Sequence, residues 1–364
     1  MTHSKYMKRA LRLAARGRTS PNPMVGAVIV AGGKLVGEGY HKEYGGPHAE
    51  VWALEAAGER ARSATAYVTL EPCSHYGKTP PCTKALIEAG VARVVAAVVD
   101  PNPKVRGRGV KMLREAGIEV EVGVLEAEAK RLNAAYFKHT TMGLPLVSLK
   151  AAMSLDGKIA TAAGESQWIT GERARKEAHR LRAVHDAVLV GVGTVLADEP
   201  RLTVRKVRGR SPLRVVVDSE ARTPPEAALL TADERPPIIA VTERAPKDRV
   251  EALERAGAEV WVGPAADGKV DLRALLRWLA ERQIQSVLVE GGGTVAAAAL
   301  AAGLVDRVYF FIAPLIIGGE RARTPVEGEG IARLAEAWRL EGMKVRRIGE
   351  DLLISGEMAE LMKR

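Results

Sequence analysis

His48-Ala49-Glu50, followed by Pro72-Cys73 and Pro81-Cys82, is the set of short segments that decides the fold of the N-terminal half. One imidazole and two thiolates would fill three positions of a tetrahedral zinc site, leaving the fourth to a water whose pKa the metal lowers. Glu50 lies at the start of a predicted helix over residues 49–57 and would move the proton without binding the metal. These residues therefore predict a catalytic zinc site with His48, Cys73 and Cys82 as ligands and Glu50 as general acid and base.

Two alternatives to an open zinc site remain at this point. A closed structural site needs a fourth protein ligand, for which His41 and His75 are the nearest candidates. The two cysteines could also be unrelated buried thiols beside a surface histidine. That reading is disfavoured because both cysteines follow proline and an H-x-E motif lies upstream of them.

Length and composition fit a globular protein of two domains. The chain has 364 residues, 47% hydrophobic and 27% charged, and domains usually have roughly 100 to 200 residues. No apolar run is long enough to cross a bilayer and the first residues are charged, so we expect a cytoplasmic protein without a membrane partner. Two cysteines cannot supply a disulfide framework. Lys plus Arg exceed Asp plus Glu by 54 − 44 = +10, which favours an anionic partner: a phosphorylated metabolite, a nucleotide cofactor or nucleic acid.

Apolar runs of strand type alternate with helical stretches, which predicts an α/β protein. The predicted strands are 25–30, 66–70, 94–100, 147–150, 187–191, 213–218, 237–241 and 286–290. A helix predicted over 126–138 gives way to a polar Gly/Pro segment before the strand at 147. We therefore expect domains over residues 1–144 and 145–364.

The N-terminal half resembles the cytidine deaminase superfamily, in which the H-x-E glutamate is the general acid and base. It departs from the usual P-C-x-x-C because eight residues separate Cys73 from Cys82. That insert, the Pro-Asn-Pro segments around Asn22 and Asn102 and the segment 100–109 resemble the deaminase half of bacterial riboflavin biosynthesis proteins. The resemblance implies a three-layer deaminase domain and substrate contacts at Asn22, His41, His75, Lys78, Thr79, Asp100 and Asn102. Simple turn formation is the alternative for the two asparagines.

Glycine-rich turns follow two predicted strands of the C-terminal half, at 191–194 and 291–294. Such turns bring backbone N–H groups close to phosphates, although many are plain connectors and neither matches the G-x-G-x-x-G of Rossmann folds. These turns, with K-x-x-M-S-x-D-G-K-I-A from residue 150 and G-E-S-Q-W-I-T from residue 164, resemble the reductase half of the same family, whose fold is similar to dihydrofolate reductase.

The resemblance implies a second set of site residues in the reductase half. Those implied for NADPH are Ala152, Trp168, Thr194, Asp198, Ser219, Gly292, Gly293, Thr294, Val295, Ala296, Ala297 and Ala298. Those implied for the substrate are Ser166, Arg182, Leu202, Arg205 and Glu290. Glu290, at the end of an apolar strand, would be costly without a polar partner, which supports a ligand contact. A solvated helix face is the alternative for the basic residues between 173 and 182.

The resemblance implies a bifunctional enzyme of riboflavin biosynthesis that uses Zn²⁺ and NADPH on phosphorylated pyrimidines, without nucleic acid. The reductase fold is often dimeric in relatives, so a homo-oligomer is also implied. A tRNA adenosine deaminase is the first competitor, since it shares the H-A-E motif and would suit the positive charge. The long cysteine spacing and the second domain disfavour it. A zinc-stabilised binding module is the second, and the presence of Glu50 argues against it.

Overall fold

The structure, a computed structural model of the chain, describes residues 3–76 and 80–359. Lys78 and Thr79 lie outside the described residues. The contacts between residues divide the chain into two compact units, Met1–Gly143 and Leu144–Arg364. The sequence places the boundary one residue later, after 144.

The first unit combines one sheet with six α-helices in its described part. Its strands are β1 (Gly26–Ala31), β2 (Lys34–Tyr40), β3 (Thr65–Val68), β4 (Arg93–Ala96) and β5 (Glu119–Val122). Its helices are α1 (His3–Ala14), α2 (Ala49–Ala57), α3 (Cys82–Glu88), α4 (Arg108–Glu115), α5 (Glu126–Leu132) and α6 (Ala134–Met142), with a 3₁₀ turn at Gly58–Ala61.

Helices cover both faces of this sheet, whose strand order is β2-β1-β3-β4-β5. Strand β1 is antiparallel to β2 and β3, whereas β3, β4 and β5 run parallel. Alternate side chains of a strand point to opposite faces, so Ala27 and Ile29 pack with α2 on one side. Val28 and Val30 pack with α1 on the other side. The predicted α/β class and three-layer arrangement are confirmed.

The single helix predicted over 126–138 is wrong. Asn133 interrupts it, because its side chain accepts a hydrogen bond from Met24 N (2.8 Å) and donates one to Met24 O (2.9 Å). The second helix, α6, continues to Met142 and ends at Gly143, which has the left-handed conformation (φ +63°). The polar segment expected after residue 138 is therefore largely helical.

The second unit contains a larger sheet, with strands β6 (Leu146–Ser154), β7 (Ala187–Gly191), β8 (Leu213–Val217), β9 (Ile238–Thr242), β10 (Glu259–Gly263), β13 (Ser286–Glu290), β14 (Arg307–Ala313), β15 (Leu340–Ile348) and β16 (Asp351–Met358). A small hairpin pairs β11 (Ala265–Ala266) with β12 (Lys269–Val270). The helices of the second unit are α7 (Glu172–Val184), α8 (Val192–Asp198), α9 (Lys247–Arg255), α10 (Leu272–Glu281) and α11 (Gly293–Ala301), with a 3₁₀ turn at Leu334–Glu336.

The large sheet has the order β10-β9-β8-β7-β13-β6-β14-β16-β15. The seven strands β10, β9, β8, β7, β13, β6 and β14 run parallel. Strand β16 is antiparallel to both of its neighbours, β14 and β15. The chain leaves β6 toward β7 on one side and later adds β14 on the other. Ligands of open α/β sheets bind outside the carboxyl ends of the strands at such a reversal. Within the described residues, no helix combines the length and the apolar character needed to span a membrane.

Candidate active sites

The predicted zinc ligands of the first unit lie together. His48 immediately precedes α2, Cys73 follows β3 through a short loop, and Cys82 is the first residue of α3. Nδ1 of His48 lies 3.2 Å from Sγ of Cys82 and 3.5 Å from Sγ of Cys73. With Zn–S of about 2.3 Å and Zn–N of about 2.0 Å, nitrogen and sulfur ligands of tetrahedral zinc lie about 3.5 Å apart. The three residues therefore fit a zinc ion.

Contacts among His48, Cys73 and Cys82 shift the pKa of each of these side chains. The contact with Cys82 lowers the pKa of Cys73 and raises that of Cys82, and the hydrogen bond with Cys73 raises the pKa of His48. Cys73 therefore has the most thiolate character of the two cysteines, and thiolate is the form that binds metal.

Glu50 lies in the first turn of α2, two residues after His48, and is 3% exposed. Burial raises the pKa of its carboxyl group, and the charge of His48 partly offsets that effect. A buried carboxyl beside the cluster has the position and the acidity required for proton transfer in this pocket.

A fourth protein ligand is not found near the cluster among the described residues. The ring of His41 packs edge-on against His48, with 5.1 Å between centroids. Its Nδ1 faces the carbonyl oxygen of Pro47 at 3.1 Å and its Nε2 faces Nδ2 of Asn22 at 3.3 Å. His75 is exposed. The described part of the chain thus favours the open site over the closed one.

Two of the residues implied for substrate contact in this unit, Asp100 and Asn102, accept hydrogen bonds from other groups of the same chain. Oδ1 of Asp100 accepts hydrogen bonds from Asn102 N (2.8 Å) and from the hydroxyl of Tyr136 (2.9 Å). Oδ1 of Asn102 accepts one from Lys104 N (3.0 Å). These bonds shape the turn, as the alternative explanation of Asn102 requires, and substrate binding by Asp100 and Asn102 stays a prediction.

Glu71 is a site residue that the sequence reasoning missed. Its buried carboxylate accepts hydrogen bonds from the backbone N–H groups of Asp100, Gly107 and Val110 at 3.0–3.2 Å. It therefore fixes the segment that carries two implied substrate residues. Its place between a predicted strand and Pro72 was the available signal.

Residues implied for the cofactor in the second unit follow four neighbouring strands. Thr194 and Asp198 follow β7, Ser219 follows β8, the 292–298 turn and helix follow β13, and Ala152 lies near the end of β6. Because the carboxyl ends of parallel strands meet at one edge of the sheet, the topology brings these segments to the reversal beside β6.

The two glycine-rich turns differ in what requires glycine. Gly291 (φ +96°) and Gly292 (φ +84°) adopt backbone angles that other residues rarely adopt, just before α11 begins. A Cβ on Gly191 would instead lie 2.8 Å from Cγ2 of Val295. The turn after β13 therefore requires glycine for its backbone angles, whereas Gly191 permits close packing of α11.

Glu290 is held by two basic residues of its own chain. Its Oε2 lies 2.6 Å from Nε of Arg182 and its Oε1 lies 3.2 Å from Nζ of Lys150. Burial alone would raise the pKa of Glu290, but these two charges outweigh it and lower the pKa to about 2. Glu290 thus has polar partners in its own chain, so its burial does not by itself support a ligand contact. Lys150 begins a motif quoted from the sequence but was not among the predicted site residues. Arg182 is half-buried, whereas Arg173, Lys176 and Arg180 are exposed.

The remaining implied residues lie in polar loops and at loop ends. Ser166 donates a hydrogen bond to the carboxylate of Asp198, which links one implied substrate residue to one implied cofactor residue. Trp168 is 68% exposed, with the guanidinium of Arg175 4.7 Å from its ring centre. Ser219 accepts a hydrogen bond from Val270 N (3.1 Å). Leu202 is buried with φ +56°.

Two family models match the chain. Residues 1–98 match the cytidine and deoxycytidylate deaminase zinc-binding region, and residues 145–354 match the RibD C-terminal domain. Riboflavin biosynthesis protein RibD of Actinobacillus pleuropneumoniae is 46% identical, over 97% of this chain and 95% of that protein. RibD of Aquifex aeolicus is also 46% identical, over 96% of each.

Solved structures give the same result. RibD of Acinetobacter baumannii has a TM-score of 0.87 at 40% identity, over 98% of each chain. A protein of Thermotoga maritima described as a diaminohydroxyphosphoribosylaminopyrimidine deaminase and 5-amino-6-(5-phosphoribosylamino)uracil reductase has a TM-score of 0.86 at 38% identity, over 98% of each chain. Both similarities extend over the two units together.

Proposed function

Because the chain belongs to the RibD family of bifunctional riboflavin biosynthesis enzymes, we propose that residues 1–144 carry the deaminase and residues 145–364 the reductase. The protein is a deaminase and reductase of this pathway. The proposed substrate of the first reaction is 2,5-diamino-6-(5-phosphoribosylamino)pyrimidin-4(3H)-one, and that of the second is 5-amino-6-(5-phosphoribosylamino)uracil. The separate family matches of the two halves support this division.

The deamination rests on the cluster of His48, Cys73 and Cys82 beside buried Glu50, and this is the observation that carries the proposal. Those three residues would hold zinc, which as a Lewis acid would make a water nucleophilic at neutral pH. Glu50 takes a proton from the attacking water and delivers it to the departing ammonia. Burial raises the pKa of Glu50, which favours acceptance of the proton.

The reduction uses a nicotinamide cofactor, proposed here to be NADPH. When bound, the cofactor supplies a hydride to ribose C1 after ring opening. The turn before α11 would present the positive end of a helix to its phosphates, although the carboxylate of Glu327 accepts a hydrogen bond from the Thr294 hydroxyl there (3.1 Å). Glu290 at the end of β13, Lys150 in β6 and Arg182 in α7 form a cluster of three charged side chains. This cluster would orient the substrate.

The cellular setting proposed for both reactions is the cytoplasm. Neither cysteine forms a disulfide, as is usual in reducing compartments. The partners proposed are phosphorylated pyrimidines, with no role for nucleic acid. Full-length similarity to riboflavin biosynthesis proteins supports this over a tRNA deaminase.

One experiment tests the activity, metal and substrate together. Purified protein is assayed for zinc content and for ammonia release from the diaminopyrimidine phosphate, and then for oxidation of NADPH and of NADH after the first reaction is complete. We expect one zinc per chain, ammonia release and preferential use of NADPH. Tight, sequence-specific retention of tRNA on a filter, without ammonia release from the pyrimidine, would instead favour the tRNA deaminase.

Replacing Arg205 by alanine is expected to weaken reduction of the phosphorylated substrate about tenfold to a hundredfold. Among the described residues Arg205 has no carboxylate partner, and partial burial with the nearby charges of Arg182 and Arg201 lowers its pKa. A charge-assisted bond to phosphate contributes about 1.5 to 3 kcal/mol. The measurement compares kcat/KM for the phosphorylated substrate and its dephosphorylated nucleoside in wild type and Arg205→Ala.

The matched control is Lys206→Ala, because Lys206 is the adjacent cation but already faces Glu172 at 3.6 Å. We expect this control to change little, as exposed ion pairs contribute about 0 to 1 kcal/mol. An equal loss for both substrates in Arg205→Ala, or none for either, would show that the phosphate is bound elsewhere.

A further inference from the structure

The segment 203–205 is held through its backbone by three side chains. The carbonyl oxygen of Thr203 accepts a hydrogen bond from Nη1 of Arg182 (3.2 Å), and Val204 N donates to Oγ of Ser211 (3.1 Å). Arg205 N donates to Nδ1 of His179 (3.1 Å). One backbone group of each residue in this segment is thus fixed by a side chain, so the position of the segment is closely controlled.

His179 and Arg182 hold this segment from the same face of α7, since residues three apart lie on one side of a helix. His179 is 6% exposed, so it is a buried residue of the helix and not part of its solvated face. Because Nδ1 accepts a hydrogen bond from Arg205 N–H, it carries no hydrogen itself, so the ring has its hydrogen on Nε2 and is neutral.

The surroundings of His179 keep the ring neutral. Burial, followed by the charges of Arg182 and Arg205, lowers its pKa to about 4, while Glu290 acts in the opposite direction. A lysine or arginine here would add another charge to a basic cluster and would offer no acceptor. A neutral imidazole supplies the acceptor that Arg205 N–H requires.

The Arg205 side chain shows what this support achieves. Its Nη1 donates to Oγ1 of Thr203 at 2.8 Å, so the guanidinium is oriented by a residue of the same fixed segment. The carbonyl of Thr203 is in turn held by Arg182, which also binds Glu290. Backbone support from His179 and Arg182 therefore fixes both ends of the contact that directs the guanidinium.

We propose that His179 is a positioning residue of the reductase, which fixes the backbone of Arg205 so that its guanidinium meets the substrate phosphate. This inference rests on the proposed role of Arg205 as the phosphate anchor. His179 itself does not touch the substrate. Its effect should therefore appear in binding of the phosphorylated substrate rather than in the chemical step.

The test compares two substitutions in the full-length enzyme. His179→Leu fills a similar volume without an acceptor, whereas His179→Asn keeps an oxygen acceptor close to the position of Nδ1. For His179→Leu we expect KM for the phosphorylated substrate to rise about tenfold, as for the loss of one ordered hydrogen bond, with a much smaller change in kcat. We expect His179→Asn to recover most of that loss, and the dephosphorylated nucleoside to show little difference between the variants.

Amide hydrogen exchange at Arg205 gives a readout that does not depend on activity. The Arg205 amide should be protected in wild type and in His179→Asn and should exchange faster in His179→Leu, with the melting temperature of each variant as the check on folding. Unchanged protection in His179→Leu, or equal losses for both substrates without rescue by asparagine, would overturn the inference.

The assay of Arg205→Ala separates the two proposals. If that variant loses preference for the phosphorylated substrate while His179→Leu does not, the anchor stands and the positioning role is overturned. If Arg205→Ala keeps the wild-type preference for the phosphorylated substrate, the anchor itself fails and the role of His179 toward the phosphate fails with it.

Discussion

Glu50→Gln should lose deamination by about 10² to 10⁴ in rate while keeping zinc and reduction. The loss follows from removing the group that moves the proton, since general acid and base catalysis contributes about that much. Glutamine has the same shape and the ligand set of His48, Cys73 and Cys82 does not include Glu50, so metal and fold should persist. Ammonia release, zinc per chain and NADPH oxidation with the deaminated substrate measure the three properties.

Glu55→Gln is the matched control, because Glu55 lies on the exposed side of the same helix, α2. It should leave all three properties unchanged. Normal ammonia release by Glu50→Gln would remove Glu50 from the mechanism. Loss of zinc together with activity would mean that Glu50 takes part in holding the metal.

Cys82→Ser should deplete zinc and, through it, deamination. Cys82 is 1% exposed at the start of α3, with Sγ 3.2 Å from Nδ1 of His48. A hydroxyl is a poor substitute for a soft thiolate ligand, and even loss of an outer-shell partner costs about 10- to 100-fold in metal affinity. We expect a larger loss of affinity here, measured as zinc per chain after dialysis against a graded series of chelator concentrations.

The reference for this measurement is Glu50→Gln, which should be equally inactive in deamination but fully loaded with zinc. NADPH-dependent reduction by Cys82→Ser should stay close to wild type if the second unit retains its fold. A full complement of tightly bound zinc in Cys82→Ser would refute the three-ligand site.

Local sequence motifs predicted the chemistry of the first unit. His48 and Glu50 are two residues apart at a helix start, and each cysteine follows a proline, which favoured a metal site with a proton carrier beside it. The resemblance to the deaminases then supported the individual roles. Local pattern also predicted α2 and the strands β7 and β13 with the bounds that the structure gives. A short apolar run between turns indicates a buried strand from adjacent residues alone, without information on distant contacts.

Longer-range contacts decided where local pattern was wrong or silent. The helical pattern over 126–138 continues through Asn133, but the hydrogen bonds of Asn133 with Met24, 109 residues earlier, break the helix. Strand β15 has mostly exposed side chains. Its pairing with β16 supplies the stability that its own pattern does not indicate.

The tertiary structure likewise decided how the charged residues of the second unit are used. The sequence marked Glu290, Arg182 and Arg205 but could not pair them, because Arg182 and Glu290 are 108 positions apart and meet only when α7 packs beside the end of β13. The same packing brings His179 to the backbone of Arg205, 26 positions away. Spacing along the chain specifies contacts within one helix or turn, whereas a buried charge finds its partner through the order of strands in the sheet, which is a property of the whole fold.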